Sequence, residues 1–123
     1  MTKDELKNLK LEDHKHQTFD KVRYRDTDRQ GHVNNAVFST FFETGRVEFL
    51  YHPEKPMYGE GCSFVIANAS IDYLLEIKWP GKVDIGTSII SVGRSSVKIV
   101  QSLYQDGKLC GLSENVLVQV DNE

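Results

Sequence analysis

The stretch R-D-T-D-R-Q-G-H-V-N-N-A-V-F, from Arg25 to Phe38, decides how the rest of the chain is read. Carboxylates, an imidazole and side-chain amides crowd against the start of an apolar run. Upstream, Phe19 to Asp28 alternates: Val22, Tyr24, Asp26 and Asp28 fall on one side, Arg23, Arg25 and Thr27 on the other. That period predicts a strand carrying both aspartates on one face. Downstream, Asn34 to about Tyr51 predicts one long helix. Phe38, Phe41, Phe42, Gly45 and Phe49 form its apolar stripe, and Asn34 is placed to cap its first turn. A glycine inside such a stripe costs about 1 kcal/mol against alanine, so Gly45 implies close approach of another backbone.

Beyond the helix, His52 to Gly61 is a Pro/Gly-rich connection, and the pattern then changes to alternation. Strands are predicted over Cys62–Tyr73, Gly81–Val92, Ser96–Tyr104 and Leu109–Val120, with turns at Pro80-Gly81 and a hairpin bend at Asp106-Gly107. Strand, helix, then four strands make an α+β domain, one helix on an antiparallel sheet. A single helix covers one face, so apolar positions remain for a second copy. The first 17 residues form a polar extension, in which residues 2–14 carry Leu6, Leu9 and Leu11 and are expected as a loose short helix or a mobile segment. Residues 18–123 form the single domain.

Composition narrows the function. The chain has 123 residues, 39% hydrophobic and 27% charged, with a net charge of -3. No basic stripe marks a nucleic-acid surface. No run approaches the ~20 apolar residues of a membrane span, and the charged N-terminus is unlike a secretory signal, so a cytoplasmic location is expected. Cys62 and Cys110 stand apart, as expected of reduced thiols. The four histidines lack metal-ligand spacing. No metal and no cofactor is expected.

The polar stretch itself offers chemistry. Asp28, at a strand end before a turn, can act as general base or as nucleophile; capping its own turn or pairing with Arg25 or Arg29 is the alternative. Asp26 is assigned a structural role. Gly31 suits a backbone bend, His32 a hydrogen-bonded structural position or a carbonyl partner, and Asn34 a cap. Asn35 is not explained as that cap and is the better candidate to touch substrate or water. Free amides at the helix start favour negative charge, including a developing oxyanion. Arg94, Ser95 and Ser96 offer a cation and hydroxyls at a strand start, a weak signal for an anionic group.

Taken together, V-R-Y-R-D-T-D-R-Q-G-H-V-N-N-A-V-F-S-T-F-F-E-T-G-R resembles the opening of the hotdog-fold acyl-CoA thioesterases, in the 4-hydroxybenzoyl-CoA thioesterase-like branch. It is also similar to the D-x-D-x-x-x-H-V-N-N segment of plant acyl-carrier-protein thioesterases. The resemblance spans roughly residues 18 to 121. It implies a long central helix wrapped by a curved antiparallel sheet of about five strands. The implied unit is a homodimer or homotetramer with its active site at the dimer interface. It implies Asp28 as the catalytic carboxylate acting on an acyl-CoA thioester, with Asn35 beside it. Backbone amides around Asn35 and Ala36 become the oxyanion site, with Gly31, His32 and Asn34 shaping the loop. Arg94, Ser95 and Ser96 match the strand start near coenzyme A. The acyl pocket is expected to be lined by helix aromatics and the facing chain. A non-catalytic acyl-thioester binding module on the same fold is the alternative, and a hydratase is disfavoured.

Overall fold

The computed structural model describes residues 2–54 and 61–121. The long helix α2 spans Asn35–Leu50. Short α1 spans Lys3–Lys7. The strands are β1 (His16–Lys21), β2 (Cys62–Tyr73), β3 (Lys82–Val92), β4 (Ser96–Gln105) and β5 (Lys108–Asp121). They form one antiparallel sheet in the order β1-β3-β4-β5-β2. Register shifts at Ile66/Asn68, Ile89/Ser91 and Leu103/Tyr104 interrupt three of the four ladders. Such bulges bend strands, and here they curve the sheet around α2. The β4–β5 hairpin turns at Asp106-Gly107, both with positive φ (52° and 78°), as an Asp-Gly bend requires. Most of the connection predicted over His52–Gly61 lies outside the described residues.

Alternation on the strands and the 3.6 period of α2 meet in one core. Phe38, Phe41 and Phe42 are 0–1% exposed and pack with Val83, Ile85 and Leu103. Each such burial contributes about 1.5–3 kcal/mol. Leu50, Val97, Ile99 and Leu117 continue the core under the other end of the helix. Gly45 lies where the helix crosses β3 and β4. A Cβ there would sit 2.5 Å from Ile85 Cγ2 and 3.2 Å from Gln101 Nε2. The space it leaves admits Gln101, whose side-chain amide donates to the Phe42 carbonyl (2.9 Å) and to Thr87 Oγ1 (3.1 Å). The three phenylalanines are thus core, not walls of an acyl pocket as the sequence led us to expect.

The predicted strand over Phe19–Asp28 is corrected. β1 ends at Lys21, and Tyr24–Asp26 forms a 3₁₀ turn. The Asp26 carboxylate accepts from the Arg23 N–H (2.9 Å) and Arg23 Nε (3.3 Å), folding the chain back on itself. A short acidic side chain that bonds its own backbone competes with a ladder. The two aspartates therefore do not share a face: Asp26 is buried and Asp28 exposed.

The N-terminal segment lies on the outer face of the sheet. Thr2 and Glu5 form a capping box on α1. Leu6 is fully buried with Val100 and Leu112, and Tyr104 Oη donates to the Leu9 carbonyl (2.6 Å). His14 is buried over Gly86, its ring nitrogens 2.9 Å from Ser88 Oγ and Ser102 Oγ. Burial lowers its pKa, which favours the neutral ring there. Cys62 and Cys110 are free; they lie toward opposite ends of the β2–β5 ladder.

Candidate active site

The site grows from the turn between Thr27 and Val33, which are themselves bridged. The Asp28 N–H donates to the His32 carbonyl (2.8 Å), and the Gly31 N–H to the Asp28 carbonyl (3.1 Å). Gly31 has φ +80°, a conformation that other residues resist. The Gln30 N–H donates to Asp28 Oδ1 (2.8 Å). That leaves Asp28 Oδ2 with no partner among the described residues, on an exposed side chain at the turn. One oxygen fixes the carboxylate and the other is available to a reacting group.

The turn leads directly into α2. The Asn34 N–H donates to the Asp26 carbonyl (2.8 Å), and Asn34 Oδ1 accepts from the Ala36 N–H (2.9 Å). The Val37 N–H donates to the Asn34 carbonyl (2.8 Å). Asn34 is therefore the cap that its position predicts. The same bond takes the Ala36 amide, which the resemblance assigned to the oxyanion site. The Asn35 N–H has no acceptor among the described residues, so it is the amide left at the positive end of the helix. Asn35 itself is exposed.

A second loop, residues 74–81, holds this turn from outside. The Val33 N–H donates to the Ile77 carbonyl (2.8 Å), and His32 is bridged to Lys78. His32 Nε2 lies 2.9 Å from Glu76 Oε2. Tyr24 and Trp79 meet edge to face at 5.1 Å. Gln105 clamps the loop, accepting from the Lys78 N–H (2.9 Å) and donating to its carbonyl (2.8 Å). None of Glu76, Trp79 and Gln105 was singled out from the sequence. The pairs are 44, 55 and 27 residues apart by position, respectively His32–Glu76, Tyr24–Trp79 and Lys78–Gln105, and no local pattern joins them.

Arg94, Ser95 and Ser96 lie elsewhere. They form the β3–β4 turn, with the Gly93 N–H donating to the Ser96 carbonyl (2.7 Å) and the Gln119 N–H to the Ser95 carbonyl (2.8 Å). A shallow cleft of about 140 Å³ there is lined by Phe64, Arg94, Ser95, Ser96 and Gln119. This turn is beside the C-terminal end of α2, whereas Asp28 is at its N-terminal end. The 16 residues of the helix span about 24 Å. One chain alone does not bring the two groups together. Among the described residues, no three His, Cys, Asp or Glu side chains converge as a metal site would require.

Known proteins agree with this architecture. Residues 22–123 match the thioesterase-like superfamily. The acyl-CoA thioester hydrolase YbgC of Escherichia coli O157:H7 is 28% identical over 105 residues, covering 82% of this chain and 78% of that one. A thioesterase from Thermus thermophilus, solved with coenzyme A and zinc, is 31% identical with a TM-score of 0.76, covering 85% and 83%. The PA5185 protein of Pseudomonas aeruginosa PAO1 superposes with a TM-score of 0.81 at 26% identity, covering 93% and 82%. On this match and on the fold, the chain belongs to the thioesterase-like superfamily, as a thioester-hydrolysing enzyme of the hotdog fold.

Proposed function

We propose that the protein hydrolyses an acyl-CoA thioester, with Asp28 as the catalytic carboxylate and the Asn35 amide as oxyanion donor. The observation that carries this reading is the division of labour in the turn. Asp28 is held by one oxygen and open at the other, and it precedes a helix whose first amide is unused. As general base, Asp28 Oδ2 takes a proton from water while the oxygen adds to the thioester carbon. The carbonyl oxygen becomes an oxyanion and accepts from the Asn35 N–H. Collapse breaks the C–S bond, and the thiolate leaves as the thiol with the proton that Asp28 carried. As nucleophile, Asp28 would instead form an acyl anhydride that water then opens. Relatives named as acyl-CoA thioester hydrolase, or solved with coenzyme A, support coenzyme A as the carrier.

The active unit is a dimer paired along β2. That strand is a sheet edge, and Val65, Ile66 and residues 67–70 are exposed along it. Long exposed edges are ready to pair with another chain. β2 runs from the C-terminal end of α2, where Phe64 meets Tyr51, to its N-terminal end, where Tyr73 meets Phe38. Antiparallel pairing about a two-fold axis sets the Tyr73 end of one copy beside the Cys62 end of the other. The Asp28 turn of one copy then approaches the Arg94–Ser96 turn of its partner. This accounts for the separation of the two groups within one chain.

The test is thiol release from a panel of acyl-CoA substrates by wild type and Asp28→Asn. The expected loss is about 10²–10⁴-fold in kcat with the fold intact. Unchanged turnover in the variant overturns the assignment. Single turnovers in ¹⁸O water identify the nucleophile route when label appears on Asp28, which requires water to open the anhydride at the aspartyl carbon; trapping the acyl-enzyme covers opening at the acyl carbon. If Arg94→Ala also lowers turnover, mixing it with Asp28→Asn should restore part of the activity, because each mixed dimer then holds one intact site.

A further inference from the structure

We propose that Glu76 is a positioning residue for Asp28, acting through His32. This rests on the reading of Asp28 as the catalytic carboxylate and names the group that aims it.

The Asp28 turn is tied to the body of the protein at few points. Within it, Arg29, Gln30 and Gly31 are exposed, and an added Cβ on Gly31 would meet nothing within 4 Å. The Asp28 backbone is held through its N–H on the His32 carbonyl. Where His32 sits therefore decides where Asp28 sits, and two contacts set it: the backbone bridge to Lys78 and the ring on Glu76. The His32 ring is in turn fixed by Glu76 Oε2 at 2.9 Å. The carboxylate has its own second neighbour, Lys78 Nζ at 3.6 Å from Oε1.

Glu76 is a suitable anchor because both its sides are immobilised. The Leu74 and Leu75 N–H groups donate to the Cys110 carbonyl (2.9 and 3.1 Å). Ile77 is fully buried, and Lys78 is bonded on both backbone groups by Gln105. Glu76 thus projects from a short segment locked to β4 and β5, and it grips the residue that follows the exposed Arg29–Gly31 tip and accepts from the Asp28 N–H. Both side chains of the pair are partly exposed, at 35% for His32 and 42% for Glu76. Pairs so exposed contribute little to global stability, so the geometry of the turn is the property they can control. Misplacement of a reacting group by about 1 Å can cost up to ~10²-fold in rate.

The experiment measures kcat, KM and thermal unfolding for Glu76→Ala and Glu76→Gln, each on the wild-type and the Asp28→Asn backgrounds. Glutamine keeps an oxygen that accepts from His32 Nε2–H, and alanine does not. With Asp28 present, Glu76→Ala should lower kcat about tenfold with KM within about twofold, and Glu76→Gln should regain most of the loss. On the Asp28→Asn background neither change should lower the residual rate further, because the base that Glu76 aims has already been removed. A general loosening of the fold would lower both backgrounds by the same factor, and that result overturns the proposal. So does an unchanged kcat in Glu76→Ala, or the absence of rescue by glutamine. If Asp28→Asn itself keeps full turnover, the mechanism fails instead, and the two failures are told apart.

Discussion

Both ends of α2 sit on apolar core, but only the N-terminal end carries a layer of directed polar groups above it. At the N-terminal end, Phe38, Phe41 and Phe42 are buried, and above them polar groups do the aiming: the Asn34 cap, the Asp28 turn, and the clasp of His32 by Glu76. At the C-terminal end, Leu50, Val97, Ile99 and Leu117 are buried, with Phe49, Tyr51 and Phe64 packed against them. Hydrogen bonds set direction, whereas apolar packing supplies most of the stabilisation. A helix seated along its length by apolar packing can present directed polar groups at one end. That division predicts that rate and stability will separate along the helix.

The largest effect belongs to the polar end. Asp28→Asn should lower kcat about 10²–10⁴-fold, about 3–5 kcal/mol of barrier, with unfolding in urea close to wild type. The side chain is exposed, and the asparagine oxygen still accepts from the Gln30 N–H. Leu50→Ala is the counterpart at the apolar end. It empties a fully buried site and should cost about 2–5 kcal/mol of stability, with kcat per folded molecule within about threefold. A large kcat loss in Leu50→Ala, or a large stability loss in Asp28→Asn, would break the separation.

Gly45→Ala probes the middle of the helix. Alanine is better than glycine in a helix by about 1 kcal/mol. Here the new methyl meets Ile85 Cγ2, a methyl on a branched carbon that has little freedom to swing aside, and it crowds Thr87 and Gln101. Overpacking of this kind typically costs ~1–3 kcal/mol, so the clash should outweigh the propensity. The expected outcome is a net loss of up to about 2 kcal/mol in a urea titration. A gain in stability would show that α2 can lift off β3 and β4 without penalty.

Which of these features the sequence could reveal follows from how local their causes are. α2, its cap at Asn34 and the strands after it are written in periods of 3.6 and 2 and in an Asp-Gly turn, and these predict β2 to the residue and the others to within one or two. Gly45 was legible because a glycine in an apolar stripe needs a neighbour. The end of β1 was misread because Tyr24 to Asp28 alternates as a strand would. The competing signal, an acidic residue three positions after Arg23 that bonds back to its N–H, was present and local. The seat of the N-terminal segment and the clasp of His32 by Glu76 depend on residues far apart in the chain. His14 is matched to Gly86, Ser88 and Ser102, and nothing near His14 in sequence announces them.

The smallest effect is the sharpest probe of the polar end, because it separates the cap from the chemistry. Asn34 Oδ1 accepts from the Ala36 N–H, and an aspartate at that position can do the same. Aspartate and asparagine are about equally good caps, and a negative charge at a helix start is favourable by about 0.3–1 kcal/mol. Asn34→Asp should therefore unfold at the same or slightly higher urea concentration than wild type. Catalysis should respond in the opposite sense. The new carboxylate would stand one residue before Asn35, whose free N–H is the proposed oxyanion donor, and like charges repel. A loss of about tenfold in kcat, about 1.4 kcal/mol, is expected, with the loss shrinking as salt is added. Unchanged kcat in a well-folded Asn34→Asp would mean that no negative charge develops at this end of α2, and the oxyanion site would have to be sought elsewhere.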